Sequence, residues 1–214
     1  ICEKSGADSI TLHLREDRRH IQDKDVEEIK ATLKIKMNLE MAATDEMLKI
    51  ASQISPQDCC LVPEKREELT TEGGLDVASQ LPRMKEVCSQ LEDNNIRVSL
   101  FIDADKKQID AAMACGAPVI EIHTGKYADA INLAERELKY NEIKGACEYA
   151  HSLGLQVNAG HGLTLENTFA IAKIDSIVEL NIGHSIISRA VFAGLANATT
   201  EMKALMLEAR GLCS

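Results

Sequence analysis

No apolar run in the 214-residue chain approaches the ~20 residues that a membrane-spanning helix needs. The opening residues do not read as a secretory signal. There is no low-complexity segment and no linker, so a single domain over residues 1–214 is expected. The seven cysteines are an odd number and contain no C-x-x-C spacing. They read as reduced, buried thiols, which points to the cytoplasm. Positive charge is also in deficit. Lys and Arg number 24 against 34 Asp and Glu, a formal net charge of -10. That balance argues against nucleic acid or an anionic membrane surface as partner. It leaves anionic small molecules open, because a few Arg side chains and helix N-termini hold phosphate locally.

What is present is an alternation of two periodicities. Apolar segments with strand character lie at 9–14, 36–41, 59–63, 97–102, 119–124, 156–160 and 178–183. Helical spacing fills the intervals at 25–33, 45–52, 75–91, 106–115, 135–153 and 166–172, with two further helices at 185–195 and 198–210. Gly116 and Gly154 stand where helix C-terminal stops belong, and Thr164 where an N-cap belongs. Strict strand–helix alternation implies a parallel α/β sheet with right-handed crossovers.

An open doubly wound sheet and a closed barrel both satisfy that rule, and parity separates them. Ser9, Thr11 and His13 share one side of the first strand; Asn38 and Glu40, and Glu121 and His123, do the same on theirs. An open sheet buries both faces under helices and needs both apolar. A TIM barrel, (β/α)8, has an inner face that opens onto a catalytic rim, which accounts for the polar side. Such a barrel has eight strands and seven are visible here. The opening Ile1 to Asp8 reads as the last turn of a helix ending at Gly6. The first strand–helix unit is therefore expected to be missing from this sequence. Pro63 to Gly74 is the one long irregular stretch and a candidate rim loop.

Four of six histidines, His13, His123, His161 and His184, lie at or just after strand ends. Glu40 stands between Leu39 and Met41 on the inner side of its strand. A carboxylate there either pairs with a cation such as Lys36 or Arg15, or has a raised pKa that suits a general base. Glu121 is placed in the same way. Inward carboxylates among imidazoles suit proton transfer at carbon next to a carbonyl. The run Asn158-Ala-Gly-His161-Gly162-Leu163 places glycines on both sides of a histidine, allowing close backbone approach and an unusual φ. The next strand ends in Asn181-Ile-Gly183-His184, ahead of a helix. Loops after the last two strands with such a helix N-terminus form the usual phosphate site of these barrels. Arg15 and His20 offer a second anion site. No strand carries an inward Lys at its C-terminal end, so an enzyme–substrate Schiff base is not indicated. No compact metal-ligand motif is present.

The motifs His13-Leu-Arg15-Glu-Asp-Arg-Arg-His20, Asn38-Leu-Glu40-Met, Cys60-Leu-Val-Pro-Glu-Lys-Arg66, Thr70-Thr-Glu-Gly-Gly-Leu-Asp76, Glu121-Ile-His-Thr-Gly125, Asn158 to Leu163 and Asn181 to His184 resemble, in this order, the pyridoxine 5'-phosphate synthase family of vitamin B6 biosynthesis. The resemblance runs through essentially the whole chain. It implies a transferase that condenses 1-deoxy-D-xylulose 5-phosphate with 3-amino-2-oxopropyl phosphate, releasing phosphate and water. It implies no metal or organic cofactor, an imine formed between the two substrates, and a homo-octamer. By the same likeness His13 and Glu40 are proton acceptors, His161 a proton donor and Glu121 a transition-state stabiliser. Arg15, His20 and Thr70 hold the deoxyxylulose phosphate; Gly162, Gly183 and His184 hold the phosphate of the amino ketone. The family's Asn-x-Asp-His motif of the first strand, and an Arg shortly after it, are not found here. Two other readings stay open: a metal-dependent sugar-phosphate isomerase using Glu40, Glu121, His123 and His161 as ligands, and a barrel kept as a non-catalytic scaffold.

Overall fold

The computed structural model describes residues 1–70 and 73–212. Thr71 and Glu72 of the expected rim loop, and Cys213 and Ser214, lie outside the described residues. The seven expected strands are all present, and their order in the sheet is their order in the chain. The chain divides into two compact units, Ser9–Glu121 and a second formed by Ile1–Asp8 with Ile122–Ser214.

In the first unit, β1 (Ser9–His13), β2 (Lys36–Met41), β3 (Asp58–Leu61) and β4 (Arg97–Ile102) pair in parallel, each with the next. The register sets Thr11 beside Asn38 and His13 beside Glu40, then Glu40 beside Cys60 and Cys60 beside Ser99. Side chains alternate along a strand, so this row shares one face. Met37, Leu39 and Met41 alternate with Asn38 and Glu40 along β2, and all three are fully buried. Each such side chain contributes about 1.5–3 kcal/mol to folding. A slip of one residue would exchange the two sets, so burial specifies the register.

The connecting helices begin where local chemistry satisfies their free amides. Helix α1 (Asp23–Thr32) opens on a capping box between Gln22 and Asp25. Helix α2 (Asp45–Ile54) is capped by Thr44, which accepts from the Met47 amide. Helix α4 (Lys106–Ala114) is capped by Asp105 and stopped at Gly116, whose φ is +79°. Helix α3 runs Leu81–Asp93, starting six residues later than the spacing predicts. The displaced stretch is a turn: the Asp76 carboxylate accepts from the Ser79 amide and from Gln108, and the Leu75 amide donates to the Phe101 carbonyl. Pro82, in the first turn of α3, is the overlooked start signal. Strand β3 ends earlier than expected; Val62 still donates to Met41, and Pro63 has no amide to continue. β5 (Val119–His123) contributes Glu121 as the last residue of this unit.

The second unit takes up Ile122 and His123 and then forms a helix the periodicity did not reveal, α5 (Gly125–Ala128). Helix α6 (Leu133–Ser152) is capped by Asn132 and followed by Gly154 at φ +87°. β6 (Gln156–Gly160) pairs in parallel with β7 (Ile177–Asn181). Helix α7 (Thr168–Ala172) starts later than expected, because Thr164 organises the preceding turn instead. Its amide donates to Asn167 Oδ1, and its hydroxyl accepts from the Glu166 amide. Helices α8 (His184–Ala193) and α9 (Leu195–Ala209) follow. Residues 3–5 form a single 3-10 turn that Gly6 ends at φ +98°, and α9 lies against it, with Thr199 on Cys2 and Lys203 paired to Asp8.

Candidate active site

His13 ends β1, and Glu40 is its register partner on β2. His13 Nδ1 stands 3.8 Å from Glu40 Oε2. Burial pushes the Glu40 carboxyl above its usual range, and the His13 imidazole draws it only part of the way back. The cations expected as alternative partners are engaged elsewhere: Lys36 pairs with Asp58, and Arg15 is 4.0 Å from Glu64.

Glu64 is the acid that sequence reasoning missed. It follows Pro63 just past the end of β3, its side chain is 3% exposed, and Oε1 is 3.0 Å from His13 Nε2. In the sequence it looks like one charge among many in a solvated loop. The signal that could have found it is position, two residues past Val62 in a chain whose other strand tips carry the polar groups.

Glu121 is 2% exposed, and Cys60 donates to its Oε2 at 3.8 Å. Burial first, then the Glu121 and Glu40 carboxylates, push the Cys60 thiol well above the usual range, so it stays neutral. The row His13, Glu40, Cys60 and Glu121 therefore joins three of the four expected catalytic residues within one unit.

Thr70 is tied to a second missed residue, Asp103, just past the end of β4 and 5% exposed. Asp103 also accepts from the Gly74 amide at 3.0 Å, and the Thr70 amide donates back to the Gly74 carbonyl at 2.9 Å. A Cβ at Gly74 would come 2.6 Å from the Asp103 nitrogen, so only glycine fits. His20 is exposed in the loop after β1. Its neighbours Arg18 and Arg19 are committed to Asp23, Glu46 and Asp17.

In the second unit His123, at the tip of β5, and His161, just past β6, meet edge to face with ring centroids 4.9 Å apart. Gly125 makes that contact possible. A Cβ there would stand 2.6 Å from His123 Nε2 and 3.2 Å from His161 Cδ2. The unusual backbone lies at His161 and Gly162, φ +81° and +76°, and not at Gly160, which stays in the strand. The Thr124 hydroxyl lies 2.6 Å from the His161 carbonyl oxygen and holds this turn. Desolvation of the ring, then the nearby His123, lower the His161 pKa, partly offset by Asp129. Its imidazolium is thus a stronger acid than that of free histidine.

A Cβ at Gly162 would stand 2.7 Å from the Ala128 Cβ, which explains glycine after the histidine. Gly183 precedes α8 without capping its amides by a side chain, and His184 is the first helical residue. The Ser185 hydroxyl donates to the Leu163 carbonyl at 2.6 Å, bringing the two loops together. Free amides at a helix start favour an anion. Among the described residues, no group of three or more His, Cys, Asp and Glu side chains is arranged to hold a metal ion.

Residues 1–208 match the family described as pyridoxal phosphate biosynthesis protein PdxJ. The chain belongs to the PdxJ family. A relative from Photobacterium profundum, named pyridoxine 5'-phosphate synthase, is 59% identical over 210 residues, 98% of this chain and 86% of the relative. Solved structures share the fold at much lower identity. KGPDC from Streptococcus mutans superposes with a TM-score of 0.66 at 15% identity, covering 98% of this chain and 91% of that one. Thiamine phosphate pyrophosphorylase from Pyrococcus furiosus gives 0.62 at 14%, covering 97% and 87%. PdxJ-family membership with these neighbours gives the fold its class, the TIM-barrel type of α/β protein.

Proposed function

We propose that this PdxJ-family chain is a pyridoxine 5'-phosphate synthase, condensing 1-deoxy-D-xylulose 5-phosphate with 3-amino-2-oxopropyl phosphate to give pyridoxine 5'-phosphate, phosphate and water. The name of the 59% identical relative supports the reaction. The observation that carries the acid–base reading is Glu40, a carboxyl raised by burial and set 3.8 Å from an imidazole nitrogen.

In this reading the amine of one substrate condenses with the carbonyl of the other, and water leaves. Glu40 takes the proton from carbon next to the imine, with His13 as a second acceptor. A carboxyl with a raised pKa is a stronger base than an ordinary one. Glu121, held in the dry row beside neutral Cys60, stabilises positive charge that develops on the substrate. His161 gives its proton to a departing oxygen. Arg15, His20 and Thr70 hold the deoxyxylulose phosphate. The amides of Gly162, Gly183 and His184 hold the other phosphate at the start of α8. The reading includes the homo-octamer and the cytoplasmic setting of the resemblance, and one domain across the chain. No helix of the described residues is long and apolar enough to cross a membrane.

The test is turnover of the two phosphorylated substrates by the full-length protein, followed by the absorbance of the pyridinol product. Product formed without added metal or cofactor is the expected result. Substrate binding without any product would overturn the proposal.

A further inference from the structure

We propose that Glu64 is a positioning residue that fixes the tautomer of His13 and thereby makes Nδ1 its proton-accepting atom; the catalytic part of this rests on the synthase reading above. Glu64 uses both carboxylate oxygens as acceptors. Oε1 faces His13 Nε2 at 3.0 Å, and Oε2 accepts the Glu16 amide at 3.0 Å. An ionised carboxylate only accepts, so the neutral imidazole must carry its hydrogen on Nε2. The lone pair is then on Nδ1, which points across 3.8 Å toward Glu40. That separation exceeds a direct hydrogen bond and leaves Nδ1 free to take a proton from a group entering the gap.

The position of Glu64 is itself enforced. Pro63 precedes it, and Glu68 Oε2 accepts both the Glu64 amide at 2.8 Å and the Lys65 amide at 3.0 Å. Arg15, 4.0 Å from Oε2, supplies positive charge. A carboxylate that is 3% exposed, faced by His13, the Glu16 amide and Arg15, and carried on a backbone tied to Glu68 keeps one orientation. A carboxylate fixing the tautomer of a catalytic imidazole is a general device, and a wrong tautomer is costly even when geometry survives.

Glu64→Gln separates this role from a structural one. The Glu16 N–H is an obligate donor, so the single amide oxygen of Gln must face it. The amide NH2 then faces His13 and donates to Nε2, which moves the ring hydrogen to Nδ1. Both loop contacts persist while the base is lost. The experiment is nitrogen NMR of the chain labelled at histidine, above the histidine titration range, with His13 assigned by its absence in His13→Asn. The parent should show a protonated Nε2 and an unprotonated Nδ1, and Glu64→Gln the reverse. Turnover should fall by about 10²–10⁴-fold in kcat with little change in KM, and Glu64→Gln should cost little when added to His13→Asn. An unchanged tautomer in Glu64→Gln, or an inverted one with parental turnover, overturns the proposal. If the tautomer inverts as expected but the parent turns over neither substrate, the Glu64–His13 contact stands and the synthase reading fails.

Discussion

Glu40 faces His13 across a register pair of parallel strands, with 3.8 Å between Oε2 and Nδ1. Neighbouring strands force the two side chains onto the same face at the same level, and the buried apolar set on the other face prevents a slip. The register therefore sets the carboxyl beside the imidazole, and burial keeps it above its usual range.

Glu40→Gln is expected to fold normally and to lose about 10²–10⁴-fold in kcat. Stability carries a second signature. A carboxyl whose folded pKa is raised stabilises the protein fully below the unfolded value, and that contribution is lost as pH rises through the folded value. Glu40→Gln should therefore gain stability relative to the parent at neutral pH. The gain should vanish as pH falls through the carboxylate range. Urea midpoints for both proteins at pH 4 and pH 8 measure it, and a deficit at pH 8 would contradict the burial argument.

His161 is lowered first by desolvation and second by His123. Its resonance should titrate below the free-histidine range, and His123→Asn should move that midpoint upward without restoring it fully. Because the folded pKa is depressed, the stabilisation tied to His161 is present above the unfolded value and disappears as pH drops through the folded one. Proton NMR titration of the ring hydrogens, with His161→Asn for assignment, checks both statements.

Gly125→Ala and Gly162→Ala should behave differently although both add one methyl. The new methyl of Gly125→Ala meets the far end of the His123 ring and the edge of His161, which can rotate away. Stability should change by less than ~1 kcal/mol, while turnover falls about 10²-fold as His161 is displaced. Gly162 has φ +76° and faces the Ala128 Cβ at 2.7 Å, so backbone and packing both resist. Its alanine variant should lose about 1–3 kcal/mol. Denaturant unfolding alongside kinetics separates the two cases.

Asp103→Ala removes the acceptor of a buried amide, Gly74, and of the Thr70 hydroxyl. The cost should be about 1–3 kcal/mol for the orphaned amide. If Thr70 holds the deoxyxylulose phosphate, KM for that substrate should rise more than kcat falls, with KM for the amino ketone unmoved. Steady-state kinetics with each substrate varied in turn would show the asymmetry.

The periodicity of the chain determined its elements. Strands β2, β4 and β6 have the bounds their alternation predicts, because a strand with one apolar face and one carrying polar groups writes both faces directly into the sequence. The polar tips were legible for the same reason: His13, Glu40 and Glu121 are polar where an apolar neighbour pattern predicts a face. Local stops such as Gly116 and Gly154 were equally plain. Hydrogen-bonded turns were not. The turn at Asp76 displaced α3, and α5 is too short for any period to appear. Tertiary structure alone decided which acids matter. Glu64 and Asp103 differ from other loop acids only in what the fold sets against them, an imidazole in one case and the Gly74 amide in the other. Sequence spacing encodes which side of an element a residue occupies; the pairing of groups 51 and 33 positions apart arises only when the sheet brings their strand ends together.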